Sequence, residues 1–440
     1  MWLPLGLLAA LPSVTRDGGV LSILPENPHY FVSPQGKPHI LVGDYTWGTF
    51  SDREYDYRTM FDTLRSEGLN YARVWVYWGN ETGFEDEHFV PVVPYLRTGP
   101  GLGNDGRPRF DLTRFDPAFF KRLRDVCAAA KARGIFLQLT LFDAWMIKHP
   151  HLWRLHAYCR DNNINGVDGD PRNTGKGTDG EQGFCSLGNP EVMAYQKAFM
   201  RQVIENVGEF GSILFEIANE NYYNADWEKQ LCEFIHTAEA KRPKQHLAMP
   251  LDLPNHDHGG IKTWSLDQLH ANLLQARQLG QPLIFDTDGI GNPEDAIVRR
   301  AAWTAFASGG NVSYLDDSLQ PGRDPPGDFR GSRRATLRNQ LGHLARFAAR
   351  TRFWEMTPSD AAVKAGSAYV LASARELVAY LPSGGAVTIG LPNMRGPIRA
   401  QWYSPRDGQF GKAFRLPDLG ERELTSPNTD DWVLHVRSAN

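Results

Sequence analysis

From about residue 38 to 350, short apolar runs alternate with longer segments whose apolar residues recur every three or four positions. The runs have the length of buried strands, and the three-to-four recurrence is that of helices packed on one face. Eight runs qualify as strands: His39–Asp44, Tyr71–Trp78, Ile135–Phe142, Ile213–Asn219, His246–Leu251, Ser265–His270, Pro282–Asp288 and Asn311–Asp317. Strands alternating with helices predict βα units on a parallel sheet, and eight such units close a (β/α)8 TIM barrel. Asp116-Pro117, Asn189-Pro190-Glu191 and Asn292-Pro293-Glu294 each place a capping side chain before a proline at the first helical position. After Pro190, Val192, Tyr195, Phe199, Val203 and Val207 share one helical face, as an outer barrel helix requires. The fifth unit is the weak one, with loop residues and little helix between Pro250 and Trp264.

Beyond about Thr351 the pattern changes to short β-type runs, Ala368–Ser373, Glu376–Leu381, Ala386–Leu391, Ala400–Ser404 and Trp432–Val436, broken by Pro and Gly. The expected architecture is therefore α/β: a barrel over residues 21–350 and a small all-β sandwich over 355–440. With no exposed aromatic platform legible in it, the second domain reads as a brace for the barrel. Two βα loops are long, from about Gly79 to Asp116 and from about Asp143 to Asn189. Loops after barrel strands build the active-site face, so these two are expected to line or cover a substrate cleft.

Charged residues fall where such a face would be. In Ile213-Leu214-Phe215-Glu216-Ile217-Ala218-Asn219-Glu220, strand alternation turns Glu216, Ala218 and Glu220 the same way. Burying two ionised carboxylates costs several kcal/mol each unless they are partnered. Glu216 is best read as half of a buried ion pair with Arg73, and Glu220, at the strand end, as a catalytic group. Asp286 and Asp288 share a face by the same rule, Asp288 at the end of its strand beside Gly289. Capping of the following turn is the plainer role for either. Together with Glu220 they offer the paired carboxylates of retaining glycoside hydrolysis, one protonating the leaving oxygen and one attacking the anomeric carbon. Asp44, Arg73, Asp143, Trp145, His270 and Asp316 fall in or beside other predicted strands, and their convergence on one end of the barrel strengthens the reading. His256-Asp257-His258 offers a weaker alternative, metal-dependent hydrolysis with Asp286 and Asp288, but sits in a loop with no H-E-x-x-H helix.

Composition narrows the partners. The formal net charge of −4 argues against a nucleic-acid partner. Twelve tryptophans suit either a large core or stacking on sugar rings. No cofactor and no metal are implied. The four cysteines form no C-x-x-C pair; Cys159 and Cys185 flank a polar loop and are placed to pair in an oxidising compartment. Residues 1–20 resemble a signal-peptide apolar segment without its positive start, which points to secretion or the periplasm and leaves the cytoplasm as the alternative. No stretch of roughly 20 apolar residues follows, so no membrane span is expected.

These motifs resemble a known family. Asn219-Glu220 ending the fourth strand, with a carboxylate ending the seventh, resembles the retaining β-glycosidase clan that includes the cellulases. Gly43-Asp44-Tyr45-Thr46-Trp47, Asn189-Pro190-Glu191 leading into Glu216–Asn221, and Arg300-Ala301-Ala302-Trp303 before Ser308-Gly309-Gly310 resemble more closely its apiosidase-like barrels. Tyr380-Leu381-Pro382-Ser383-Gly384-Gly385 and Trp402-Tyr403-Ser404-Pro405-Arg406-Asp407-Gly408 are similar to the C-terminal β domain that often accompanies those barrels, sometimes labelled collagen-binding. The resemblance spans nearly the whole chain from about Tyr30. It implies a glycoside hydrolase acting on a carbohydrate, with Glu220 as acid/base and Asp288 as nucleophile, while Asp44, Trp47, Arg73, Trp145, Asn219, His270, Asp286 and Asp316 are expected toward the substrate from their own places in and beside the predicted strands. The sequence departs from the clan in offering Asp where it has a Glu nucleophile. Asp is one methylene shorter, so either the barrel adjusts, or Asp286 takes part, or the protein is a weak or inactive carbohydrate-binding relative.

Overall fold

The computed structural model describes residues 19–77, 91–178, 181–221, 223–254, 265–290, 294–316, 334–391, 394, 397–417 and 420–438. The signal-like start, His256-Asp257-His258 and the Asn292-Pro293 cap lie outside the described residues.

A curled parallel sheet of seven strands forms the centre among the described residues: β1 (Val42–Tyr45), β2 (Tyr71–Trp75), β3 (Phe136–Asp143), β4 (Ile213–Asn219), β5 (Ala248–Met249), β6 (Ile284–Asp286) and β7 (Asn311–Leu315). Their order is β5-β4-β3-β2-β1-β7-β6, every pairing parallel. Helices α1 (Tyr57–Glu67), α2 (Pro117–Ala132), α3 (Pro190–Val207), α4 (Ala225–Glu239), α5 (Leu266–Arg277), α6 (Asp295–Ala307) and α7 (Ala335–Ala348) lie outside it. This is the (β/α)8 TIM-barrel architecture. The caps at Asp116 and Asn189 form as expected, accepting from Ala118 N and Val192 N. At Gly43 no other residue fits, because a Cβ there would sit 1.8 Å from the carbonyl oxygen of Tyr71 on the neighbouring strand.

One expected strand is a helix. Ser265–His270 forms the start of α5, with Ser265 Oγ accepting from Gln268 N as its N-cap. Leu269, His270, Leu273 and Arg277 are the buried face, a period of three to four rather than two. The strand bearing Asp286 is accordingly the sixth described strand, and Asp288 falls just past it, in a 3₁₀ turn over Asp288–Ile290.

The C-terminal domain is a sandwich of two antiparallel sheets. One orders Thr357–Pro358, β8 (Tyr369–Ala372), β9 (Glu376–Leu381), β14 (Trp432–Ser438), β11 (Ile398–Tyr403) and β12 (Phe414–Leu416). The other orders Val363–Ala365, β10 (Ala386–Leu391) and β13 (Gly420–Thr425). β9 is buried on both faces. Leu377, Ala379 and Leu381 pack into the sandwich with Val387 and Ile389, while Val378 and Tyr380 join the core of the barrel. Tyr380 stacks on Trp303 of α6, ring centres 6.0 Å apart, and Tyr403 Oη donates to the carbonyl of His343 on α7 at 2.9 Å. Arg299 of α6 makes two bonds to the buried Asp431, at 2.9 and 3.1 Å. All four cysteines are free thiols, so Cys159 and Cys185 are not paired.

Candidate active site

The floor of the site is a buried ionic layer inside the barrel. Arg73, inward-facing on β2, donates to both oxygens of Glu216 at 2.8 and 2.9 Å, to Asp286 at 3.2 Å and to Asn219 Oδ1 at 3.0 Å. The expected Arg73–Glu216 pair thus forms, and its two-pronged geometry is the strong one for a guanidinium and a carboxylate. Thr140 Oγ1 donates to Glu216, and Tyr45 Oη donates to both oxygens of Asp286 at 2.8 and 2.9 Å. Asp286 also accepts from the backbone N–H of Asp288 at 3.0 Å, the turn-capping role weighed for it from sequence.

Strict alternation on β4 fails above Glu216. The next side chain to reach Arg73 is Asn219, three residues on, rather than Ala218. Glu220 then leaves the strand at φ 45°, a left-handed conformation that costs a non-glycine residue roughly 1–3 kcal/mol. Such strain persists only where surrounding structure holds it, and it clusters at functional sites.

Above the floor is a cavity of about 200 Å³ lined by Tyr45, Trp47, Trp75, Asp143, Trp145, Asn219, Glu220, Asp288 and Leu315. Glu220, just past β4, and Asp288, just past β6, both line it, with three indoles around them. Glu220 Oε2 accepts from Lys148 Nζ at 2.9 Å, both side chains partly exposed. Lys148 also lies over the Trp145 ring, and the His149 ring packs against it at 4.4 Å. Asp143 ends β3 buried in the cavity wall, with 5% of its surface exposed. Its Oδ1 accepts from Trp145 N at 2.9 Å and from Asn219 Nδ2 at 3.1 Å. Burial pushes the Asp143 carboxyl up to about 7; the Asn219 bond pulls it back and the Glu220 charge adds to the rise. Burial likewise drives the Tyr45 phenol far above its usual range, with Asp286 and Asp288 adding to the effect.

Of the residues expected at the site, Trp47, Trp145, Asn219, Glu220 and Asp288 line the cavity, and Arg73 and Asp286 lie in the layer below it. Three are elsewhere. Asp44 and Asp316 turn outward to the helical layer, where Arg338 of α7 lies 3.7 Å from Asp44, contacts Asp316 and bonds Glu67 at 3.1 Å. Tyr45 takes the inward position on β1, so its neighbour Asp44 faces away. His270, on α5, bonds Ser308 at 2.8 Å and Asp360 at 2.9 Å, joining the barrel to the β domain. Trp75 and Lys148 were not foreseen. Trp75 lies two residues beyond Arg73 on the same strand face, a signal present in the sequence; Lys148 is brought in by the turns after β3, which carry none. No group of three or more His, Cys, Asp or Glu side chains able to hold a metal ion occurs among the described residues. None of their helices is long and apolar enough to cross a membrane.

No curated protein matches the chain in sequence. Residues 360–437 match a family described as "Putative collagen-binding domain of a collagenase". Among solved structures, a protein titled "Glycoside hydrolase" is 15% identical with TM-score 0.62, over 96% of this chain and 97% of that one. A glycoside hydrolase family 5 protein from Bacteroides vulgatus is 16% identical with TM-score 0.64, over 96% and 94%. An α-amylase from Geobacillus thermoleovorans, complexed with acarbose, is 11% identical with TM-score 0.54, over 91% and 99%. The chain has the barrel-plus-β-domain fold found in glycoside hydrolases.

Proposed function

We propose that the protein is a glycoside hydrolase that cleaves an O-glycosidic bond by a retaining double displacement, with Glu220 as acid/base and Asp288 as nucleophile. The observation that carries this is the meeting of Glu220 and Asp288 in one tryptophan-lined cavity. Glu220 protonates the leaving oxygen as the Asp288 carboxylate attacks the anomeric carbon; water, deprotonated by Glu220, then releases the sugar. Trp47, Trp75 and Trp145 supply apolar faces for the ring, and Asn219 an amide for a hydroxyl beside the reacting carbon. Asp286, held by Tyr45, Arg73 and the Asp288 N–H, orients the turn that carries Asp288 rather than attacking itself. Asp44, His270 and Asp316 have no part in this site. The substrate class is a carbohydrate, and the resemblance to apiosidase-like barrels is not carried to apiose as the sugar.

A panel of aryl glycosides tests the reading. Glu220→Gln abolishes hydrolysis while leaving the unfolding transition in place; undiminished turnover by that variant refutes it. Anomer-resolved NMR of the first product reads retention directly.

A second reading is a carbohydrate-binding barrel without turnover. The Lys148–Glu220 ion pair favours it, since the ammonium occupies the carboxylate edge that a leaving oxygen needs. Glycan binding with no hydrolysis across the panel would select it.

A further inference from the structure

We propose that Asp143 is a positioning residue of this site, whose carboxyl fixes how the Asn219 amide and the Trp145 indole face the cavity and so how a sugar is seated beside Glu220. The inference rests on the glycosidase reading for its kinetic consequence but not for its geometry.

Asn219 is held from both ends. Its Oδ1 accepts from Arg73 at 3.0 Å and its Nδ2 donates to Asp143 Oδ1 at 3.1 Å. A cation on the oxygen side and a carboxyl on the nitrogen side leave one amide orientation, and one Nδ2 hydrogen remains for a ligand. The same Asp143 Oδ1 caps the short helix Ala144–Ile147 by accepting from Trp145 N. One atom therefore sets two cavity walls, and it belongs to the adjacent strand, whose Asp143 pairs in register with Asn219.

The groups facing Asp143 decide when it is charged. Burial favours its protonated form first, and Glu220 at the end of β4 adds to it, while Asn219 and the N–H groups of Trp145 and Met146 favour the ionised one. Cys185 is buried near enough to feel both Asp143 and Glu228 of α4. The balance falls at about 7, so the hold on Asn219 changes from a charged to a neutral acceptor across neutral pH.

Two variants separate position from charge. Asp143→Asn keeps an oxygen for Trp145 N and Asn219 and remains a good cap, but loses the ionisation. Asp143→Ala loses both. The expected kcat/KM on a hydrolysed aryl glycoside falls about 10–100-fold in Asp143→Ala and far less in Asp143→Asn, whose pH profile loses the inflection near 7. Asp143→Ala folded, with wild-type kcat and KM, overturns the inference. Asparagine-labelled protein provides a readout free of turnover. The Asn219 side-chain amide signals titrate with a midpoint at about 7 in the wild type, at lower pH in Glu220→Gln, and not at all in Asp143→Asn. Asn219 amide signals that sit at the same shifts in Asp143→Ala as in the wild type also overturn it. Failure of Glu220→Gln to lose activity, or no hydrolysis of any substrate, counts against the glycosidase reading alone, and these amide signals still decide the role of Asp143.

Discussion

Replacing Asp143 with Asn stabilises the protein at alkaline pH. Burial pushes the Asp143 carboxyl up to about 7 in the folded state, against about 4 in an unfolded chain. Because the folded value is raised, the native state holds a proton that the unfolded state has released, so stability falls as pH rises from about 4 to about 7. Above that window the penalty is complete, and three pK units correspond to about 4 kcal/mol. Asn carries no such penalty. Its NH₂ must instead replace one carboxylate oxygen among backbone N–H groups that favour an acceptor there, a mismatch of about 1–3 kcal/mol. The net gain at pH 9 is then about 1–3 kcal/mol. A sharper test removes the amide mismatch, which does not depend on pH. At pH 5 the wild type already bears about 1–2 kcal/mol of the penalty, so the stability difference between variant and wild type should grow by about 3 kcal/mol from pH 5 to pH 9. Urea unfolding at both pH values measures it. A difference that is the same at both, within about 0.5 kcal/mol, refutes the reasoning: Asp143 would then ionise equally in the folded and unfolded states. A difference that grows as expected makes the natural Asp a destabilising residue kept for what it does to the site.

The ionic floor makes the opposite prediction. Arg73→Met leaves Glu216 and Asp286 buried without their shared cation and should cost about 3–5 kcal/mol in urea unfolding; a loss under 1 kcal/mol would refute the role of Arg73 as their shared counter-ion. Trp145→Ala, at an indole that is partly exposed on the cavity wall, should raise KM for an aryl glycoside about 10-fold with a smaller effect on kcat; an unchanged KM would remove Trp145 from sugar binding. A chain ended after Arg350 should be insoluble or molten, judged by lost near-UV dichroism, because it uncovers the faces of α6 and α7; a soluble, cooperatively folding fragment would refute the bracing role of the β domain.

How much of this was legible in the sequence depended on whether a single period decided the matter. Ile213–Asn219 was readable to the residue, because a run of apolar groups ends at Asn219 and the chain turns at Glu220. Ser265–His270 was misread because six residues with Leu266, Leu269 and His270 fit two periods; only Leu273 and Arg277 beyond them fix the helical one. Phe414–Leu416 and Gly420–Thr425 were missed as strands. The second reads Gly-Glu-Arg-Glu-Leu-Thr and lies largely exposed, so burial left no apolar alternation to find. At the site, a charged residue at a strand end was a weaker signal than its phase. Asp44 and Asp316 sit at the right height but face α7, and the inward register of Tyr45 is what excludes Asp44. His270 was assigned to the site through the same wrong strand.

The two-faced burial of β9 bears on what the β domain does. A module that binds an external ligand with a sheet face must leave that face to solvent, yet every residue of Glu376–Leu381 is buried. Leu377, Ala379 and Leu381 are used by the sandwich itself, and Val378 and Tyr380 by the barrel, where Tyr380 stacks on Trp303. The polar seam beside them is equally committed: Arg299 of α6 and Arg406 of the β domain both bond Asp431, which is fully buried. An Arg–carboxylate cluster buried there is costly to break from one side, since removing either cation leaves Asp431 undercompensated. The large sheet therefore has no free face across β9 for a protein or glycan ligand. α6 follows β6, whose end carries Asp286 and the Asp288 turn, and it leads into β7, so a domain that holds α6 also holds the strands on either side of the proposed nucleophile. That placement ties the Asp288 side of the cavity to the β domain through α6, whose Trp303 stacks on Tyr380 and whose Arg299 bonds Asp431.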